Sequence, residues 1–168
     1  MAYLTAAPIS WEHVADLHRW VSHGGCGAVV TFIGVVRADQ DGDRLVSALC
    51  YEAYPEMAEP LLHRLVSEAQ ARWSLQGAQV QHRLGRVEVG QISLAVVVAA
   101  PHRAQAYAAS RFLVERIKHE APVWKREQHD DGTSQWISGA PARLDLAPAR
   151  PEVCGADREP SGADHADV

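Results

Sequence analysis

The chain has 168 residues and a formal net charge of −5, with 47% of its residues apolar and 22% charged. That length suits one domain with a real hydrophobic core, and the balance is that of a globular protein rather than a disordered one. The acidic net charge argues against a general affinity for nucleic acid. The most apolar run, Ile92 to Ala100, is too short to cross a bilayer as a helix.

Met1 to Ser10 holds no basic region and no long apolar run. No signal peptide is expected there, and a cytoplasmic location is the default. Cys26, Cys50 and Cys154 form no CxxC pair, and their odd number leaves at least one unpaired. Cys26 and Cys50 lie in apolar, strand-like segments and read as small core residues. No Cys/His spacing suggests a metal site.

Ser10 is placed as the N-cap of a first helix reaching Val21, with Glu12 in its first turn. Trp11, Val14, Leu17 and Val21 give its apolar stripe, and His13, His18 and His23 read as solvated or turn residues. After Gly24-Gly25, the β-branched run Cys26 to Val36 predicts a strand buried on both faces for much of its length. Gly34 within it marks a bulge or a close approach. The strand closes at Arg37, and Ala38 to Arg44 forms a polar Asp-Gly turn leading to Leu45–Tyr54 as its partner strand.

Pro55 opens a second helix to about Trp73, with a stripe of Met57, Leu61, Leu65, Ala69 and Trp73. Short strands flank Gly85, at Ala78 to Leu84 and Arg86 to Val89, and another strand spans Ile92 to Ala100. Pro101-His102-Arg103 leads into a third helix reaching about His119, with Ala106, Ser110, Leu113, Val114 and Ile117 on one face. Pro122 stops that helix. Val123 to Gln128 and Ser134 to Ser138 make a closing hairpin across Asp131-Gly132. The fold class is therefore α+β, a mixed or antiparallel sheet with about three helices, in a domain over residues 1–139. Residues 140–168, rich in Ala, Pro, Asp and Arg without periodicity, read as a mostly disordered tail.

Among sixteen basic residues only Lys118 and Lys125 are lysine. Arginine is permanently charged, whereas a desolvated lysine can lose its proton and serve as nucleophile or proton donor. Chance placement of two surface lysines is the plain alternative. The segment Arg111 to Arg126 carries five Lys/Arg against Glu115 and Glu120. Such a concentration in an acidic chain points to an anionic ligand. Arg37 closes a strand, and His102-Arg103 stands at a helix N-terminus, where free N–H groups favour anions. Separately each is explained by a solvated turn; jointly they suit a small, multiply anionic ligand. No Walker loop, GxGxxG, GxSxG or HExxH motif is present.

Three segments resemble the large, catalytic subunit of molybdopterin synthase: Gly27 to Arg37, Pro101-His102-Arg103, and Lys118 with Ala121 to Glu127. Tyr51-Glu52-x-Tyr54-Pro55-x-Met57 and His82-Arg83-Leu84-Gly85 also fit, so the likeness spans about residues 25–138. The resemblance implies an α+β domain with a hammerhead-like β subdomain, paired as a homodimer. Each copy would bind a small ubiquitin-like sulfur carrier ending in a Gly-Gly thiocarboxylate. Two sulfurs would pass to cyclic pyranopterin monophosphate, forming the dithiolene of molybdopterin. Lys118 and Lys125 would be catalytic. Val35, Val36, Arg37, His102, Arg103, Arg126 and Glu127 would join them around the substrate, with His102 and Arg103 acting across the dimer interface. No metal or cofactor is implied. Val35 stands where many members carry lysine, and Arg143 is the nearest candidate for a C-terminal arginine contact. A non-catalytic subunit that docks a ubiquitin-like tail or a phosphorylated metabolite is the competing reading.

Overall fold

The computed structural model describes residues 2–137. The expected tail and Arg143 lie outside them, as does the last residue of the closing hairpin, Ser138. The element order is β1 (Leu4–Thr5), α1 (Trp11–Val21), β2 (Ala28–Val35), β3 (Gln40–Asp41), β4 (Arg44–Ala53), α2 (Pro55–Trp73), β5 (Gly77–Arg83), β6 (Gly85–Glu88), β7 (Ile92–Ala100), α3 (Arg103–Glu120), β8 (Val123–His129) and β9 (Ser134–Trp136). No helix among the described residues is long and apolar enough to cross a membrane.

Two sheets organise these elements, with strand orders β1-β5-β7-β2 and β3-β4-β8-β9; β6 pairs with β4 beside the latter. The first is mixed, because β1 runs parallel to β5 while β7 runs antiparallel to both of its neighbours, β5 and β2. Every residue of β7 is buried, which explains a run that is apolar but for Ser93 and shows no alternation. One face of this sheet packs on α2 and α3 through Leu62, Leu65, Leu113 and Ile117 against Val80, Val96 and Val98. The other packs on α1 through Leu17 and Val21 against Val97 and Ala99. Fully burying one such Leu or Val contributes about 1.5–3 kcal/mol, so this two-sided layer is the main source of stability. The carboxylate of Glu59 on α2 accepts backbone N–H bonds from Tyr3 and Leu4, tying β1 to the edge. That strand has no sequence signal, being only two residues long.

The caps follow expectation. Ser10 accepts from the His13 N–H at 3.2 Å at the start of α1. At the end of α3, Ala121 is extended (ψ 130°), as a residue preceding proline must be. The apolar stripes rotate slightly. Trp11 is 67% exposed, since the first turn of α1 overhangs the sheet. On α2 the buried residues are Ala58, Leu62, Leu65, Val66 and Ala69, leaving Met57, Leu61 and Trp73 half-buried.

The first expected hairpin is corrected. β2 does not pair with β4; it pairs along its length with β7, Ala28 opposite Ala100 through Val35 opposite Ile92. Only the two-residue β3 returns on β4 across the Asp-Gly turn, and β4 instead joins β6 and β8. Nor is β2 buried on both faces, for it is an edge strand with mostly half-buried residues. β-Branched composition reports strand propensity without saying which edges are covered. The closing hairpin does form, with Arg126, Glu127 and Gln128 opposite Trp136, Gln135 and Ser134. Cys50 is fully buried as expected, whereas Cys26 is only half-buried, with its thiol donating to the Ala28 carbonyl at 3.3 Å.

Where β2 begins, Gly27 donates to the Ala100 carbonyl, and a β-carbon there would overlap the Pro101 carbonyl oxygen. Gly27→Ala forces the β7–α3 connection to shift. The expected cost is about 1–3 kcal/mol, read as a lowered urea midpoint.

Candidate active site

The break at Ala121-Pro122 places the two lysines. Lys118 is in the last turn of α3 and Lys125 is the third residue of β8. Both line one cleft of about 590 Å³ between the two sheets. Arg37, at the end of β2, lines it too and pairs with Asp39 at 2.9 Å. Lys118 Nζ lies 5.5 Å from the Phe32 ring centroid, a cation–π contact that holds the ammonium at the cleft wall. Strand alternation sends Lys125 and Glu127 into the cleft while Arg126 takes the opposite face. There its guanidinium sits 5.6 Å from the Trp136 ring. Glu127 Oε2 is 3.7 Å from His129 Nε2. The same alternation separates two valines. Val35 is exposed and lines the cleft, whereas Val36 is buried in the core at 2% exposure.

His102 and Arg103 are not part of this cleft within one chain. His102 is the N-cap of α3, both residues are exposed, and Lys118 is about 22 Å away along the helix. The sequence puts all these cations at element ends, but the two ends of one long helix cannot meet.

Three uncharged groups at the floor of the cleft carry no cation signal: Tyr51, His82 and Ser93. Tyr51 is directly opposite Lys125 across the β4–β8 ladder and makes an edge-on contact with His82, centroids 5.2 Å apart. Burial pushes the Tyr51 phenol up from its ordinary pKa, against a smaller opposing effect of its hydrogen bond with Ser93. Burial likewise holds His82 below its ordinary value, opposed by a hydrogen bond to the Arg83 carbonyl. Since a carbonyl only accepts, His82 Nδ1 carries the proton at 2.9 Å. Both side chains are therefore neutral near pH 7. The signal that could have found them was already present, for Tyr51 and His82 sit inside the YExYPxM and HRLG segments.

The family model described as MoaE protein matches residues 4–120, which include Arg37, His102, Arg103 and Lys118. The chain belongs to the MoaE protein family. A molybdopterin synthase catalytic subunit of Nostoc sp. is 39% identical over 136 residues, 80% of each chain. One from Halalkalibacterium halodurans is 42% identical over 130 residues, covering 77% of this chain and 80% of that one. The X-ray structure of molybdopterin synthase from Staphylococcus aureus superposes with a TM-score of 0.74 at 33% identity, covering 82% of this chain and 96% of that chain. These relatives place the chain in an enzymatic family with the expected α+β fold. The match to the family model ends before Lys125, so the presence of that lysine in the site rests on the cleft.

A histidine held neutral by burial binds fewer protons folded than unfolded once the pH drops below the ordinary value of 6.5. Stability must then fall with pH, from about 6.5 down to the lowered folded value. Urea unfolding at a series of pH values checks this. The acid-side loss is expected to shrink in His82→Gln, which has no proton to gain.

Proposed function

We propose that this chain is the catalytic subunit of a molybdopterin synthase. It works with a small ubiquitin-like partner whose C-terminal Gly-Gly thiocarboxylate donates sulfur. The substrate is cyclic pyranopterin monophosphate, and two transfers build the dithiolene. Each transfer exchanges a thiocarboxylate for a carboxylate on the carrier, so two carriers are consumed per product. The observation that carries this reading is the convergence of the only two lysines of the chain on one cleft.

The chemistry asks for what the cleft offers. The donor tail and the substrate phosphate are both anionic, and Lys118, Lys125 and Arg37 supply cations where they would meet. Lys118 sits beside the thiocarboxylate and assists attack and proton transfer. Lys125 stabilises developing negative charge, with Glu127 alongside it on the wall and Arg126 bracing the strand from behind. The exposed pair His102-Arg103 reaches the substrate phosphate of a second copy across a homodimer interface, since its own cleft is out of reach. Val35 leaves the mouth with one cation fewer than lysine would give there, and Arg37 carries that load.

The test is a reconstitution of the full chain with thiocarboxylated partner and cyclic pyranopterin monophosphate, following molybdopterin as its fluorescent oxidised derivative. Lys118→Ala is expected to lower turnover by ~100-fold or more while partner binding and the thermal midpoint hold. Lys118→Arg keeps the charge but removes the titratable amine, so near-normal rates in that variant would reduce Lys118 to an electrostatic role. If the wild-type chain bound its partner yet made no product, the non-catalytic binding subunit would replace this reading.

A further inference from the structure

The cleft separates charged from uncharged groups. Its wall and mouth carry Arg37, Lys118 and Lys125 with the carboxylates of Asp39 and Glu127, while its floor is Tyr51, His82 and Ser93. The direction of each floor hydrogen bond can be worked out. His82 Nδ1 donates to the Arg83 carbonyl at 2.9 Å, which leaves Nε2 as a lone-pair acceptor. Ser93 Oγ donates its only proton to the Gly34 carbonyl at 3.2 Å. His82 and Ser93 thus have their protons committed to backbone carbonyls and keep lone pairs as acceptors at the floor.

We infer that this floor is a hydrogen-bond acceptor platform that takes N–H and O–H donors of an uncharged heterocycle, with His82 Nε2 as its principal contact. The inference rests on the proposed function, in which the ligand is a pyranopterin: a flat ring system rich in N–H donors that bears one phosphate. Charge sorting then fixes its orientation. A phosphate or thiocarboxylate oxygen meets the lone pairs of His82 and Ser93 at the floor and is repelled, whereas the cations at the wall attract it. Ring donors find the reverse. Tyr51 links the two zones, standing opposite Lys125 across the ladder and in edge contact with His82. Because His82 is buried and neutral, its Nε2 stays an acceptor at pH 7. His82 is thus a specificity-determining residue.

Two substitutions separate this role from a structural one. In His82→Asn the amide N–H reproduces the donation of Nδ1 to the Arg83 carbonyl but leaves the cleft without Nε2. In His82→Gln the longer side chain puts an amide oxygen near the position of Nε2 and gives up the carbonyl bond. With the full chain and its partner, His82→Asn is expected to raise KM for cyclic pyranopterin monophosphate about tenfold, with a smaller change in kcat. His82→Gln is expected to be less impaired in KM although it is the less stable of the two. The opposite order, Asn near wild type and Gln impaired, marks His82 as structural and overturns the platform. Equilibrium binding of cyclic pyranopterin monophosphate to wild type and both variants, without partner, keeps this test apart from turnover. If wild type binds but forms no product, the catalytic reading fails, and the platform stands only if Asn still binds more weakly than Gln. Equal binding by all three overturns the platform whatever the turnover.

Discussion

The site depends on the break between α3 and β8. Ala121 closes the helix by donating to Ile117, and Pro122 cannot continue it. Its carbonyl accepts from Tyr54 at 3.4 Å, just ahead of α2, and Val123 donates back to Ala121 at 2.7 Å. Ala121 is itself buried in the core that α2 and α3 share with the first sheet. The chain therefore leaves one sheet layer and enters the other within three residues. In an uninterrupted helix Lys125 would lie about 10 Å beyond Lys118 on the same face, and no second sheet would close a cleft around them.

That junction also explains why the cations are divided by type. Arginine makes the ion pairs on the outside: Arg19 with Asp16, Arg86 with Glu88, and Arg116 with Glu68 and Glu120. Exposed pairs of this sort contribute little to stability, about 0–1 kcal/mol each, and a permanently charged group suits them. None of these pairs involves a lysine. Both lysines line the cleft instead.

β7 supplies the rigidity behind this arrangement. Flanked by β2 and β5 and covered by helices on both faces, it delivers Ser93 and Leu94 to the cleft floor at one end and the Pro101-His102-Arg103 turn at the other. A wholly buried central strand has little freedom to adjust, so both ends are fixed relative to each other.

Element identities were legible from the sequence because they follow from local chemistry. Ser10 caps, Pro122 stops, the run at Ile92 to Ala100 is apolar but for Ser93, and Asp131-Gly132 turns. The rarity of lysine, a property of composition alone, led directly to Lys118 and Lys125. What stayed hidden depended on pairing and on facing. The partner of β2 is β7 rather than β4, because strand propensity does not encode which edge is met. Val35 and Val36 are neighbours in sequence yet only one lines the cleft, since alternate residues of a strand face opposite ways. His102 and Arg103 read as members of the same site as Lys118, but the length of α3 keeps them apart in one chain. Tyr51 and His82 are uncharged at neutral pH and far apart in sequence. Only the tertiary structure brings them together, because β4, β5 and β7 meet at the cleft only in the folded chain.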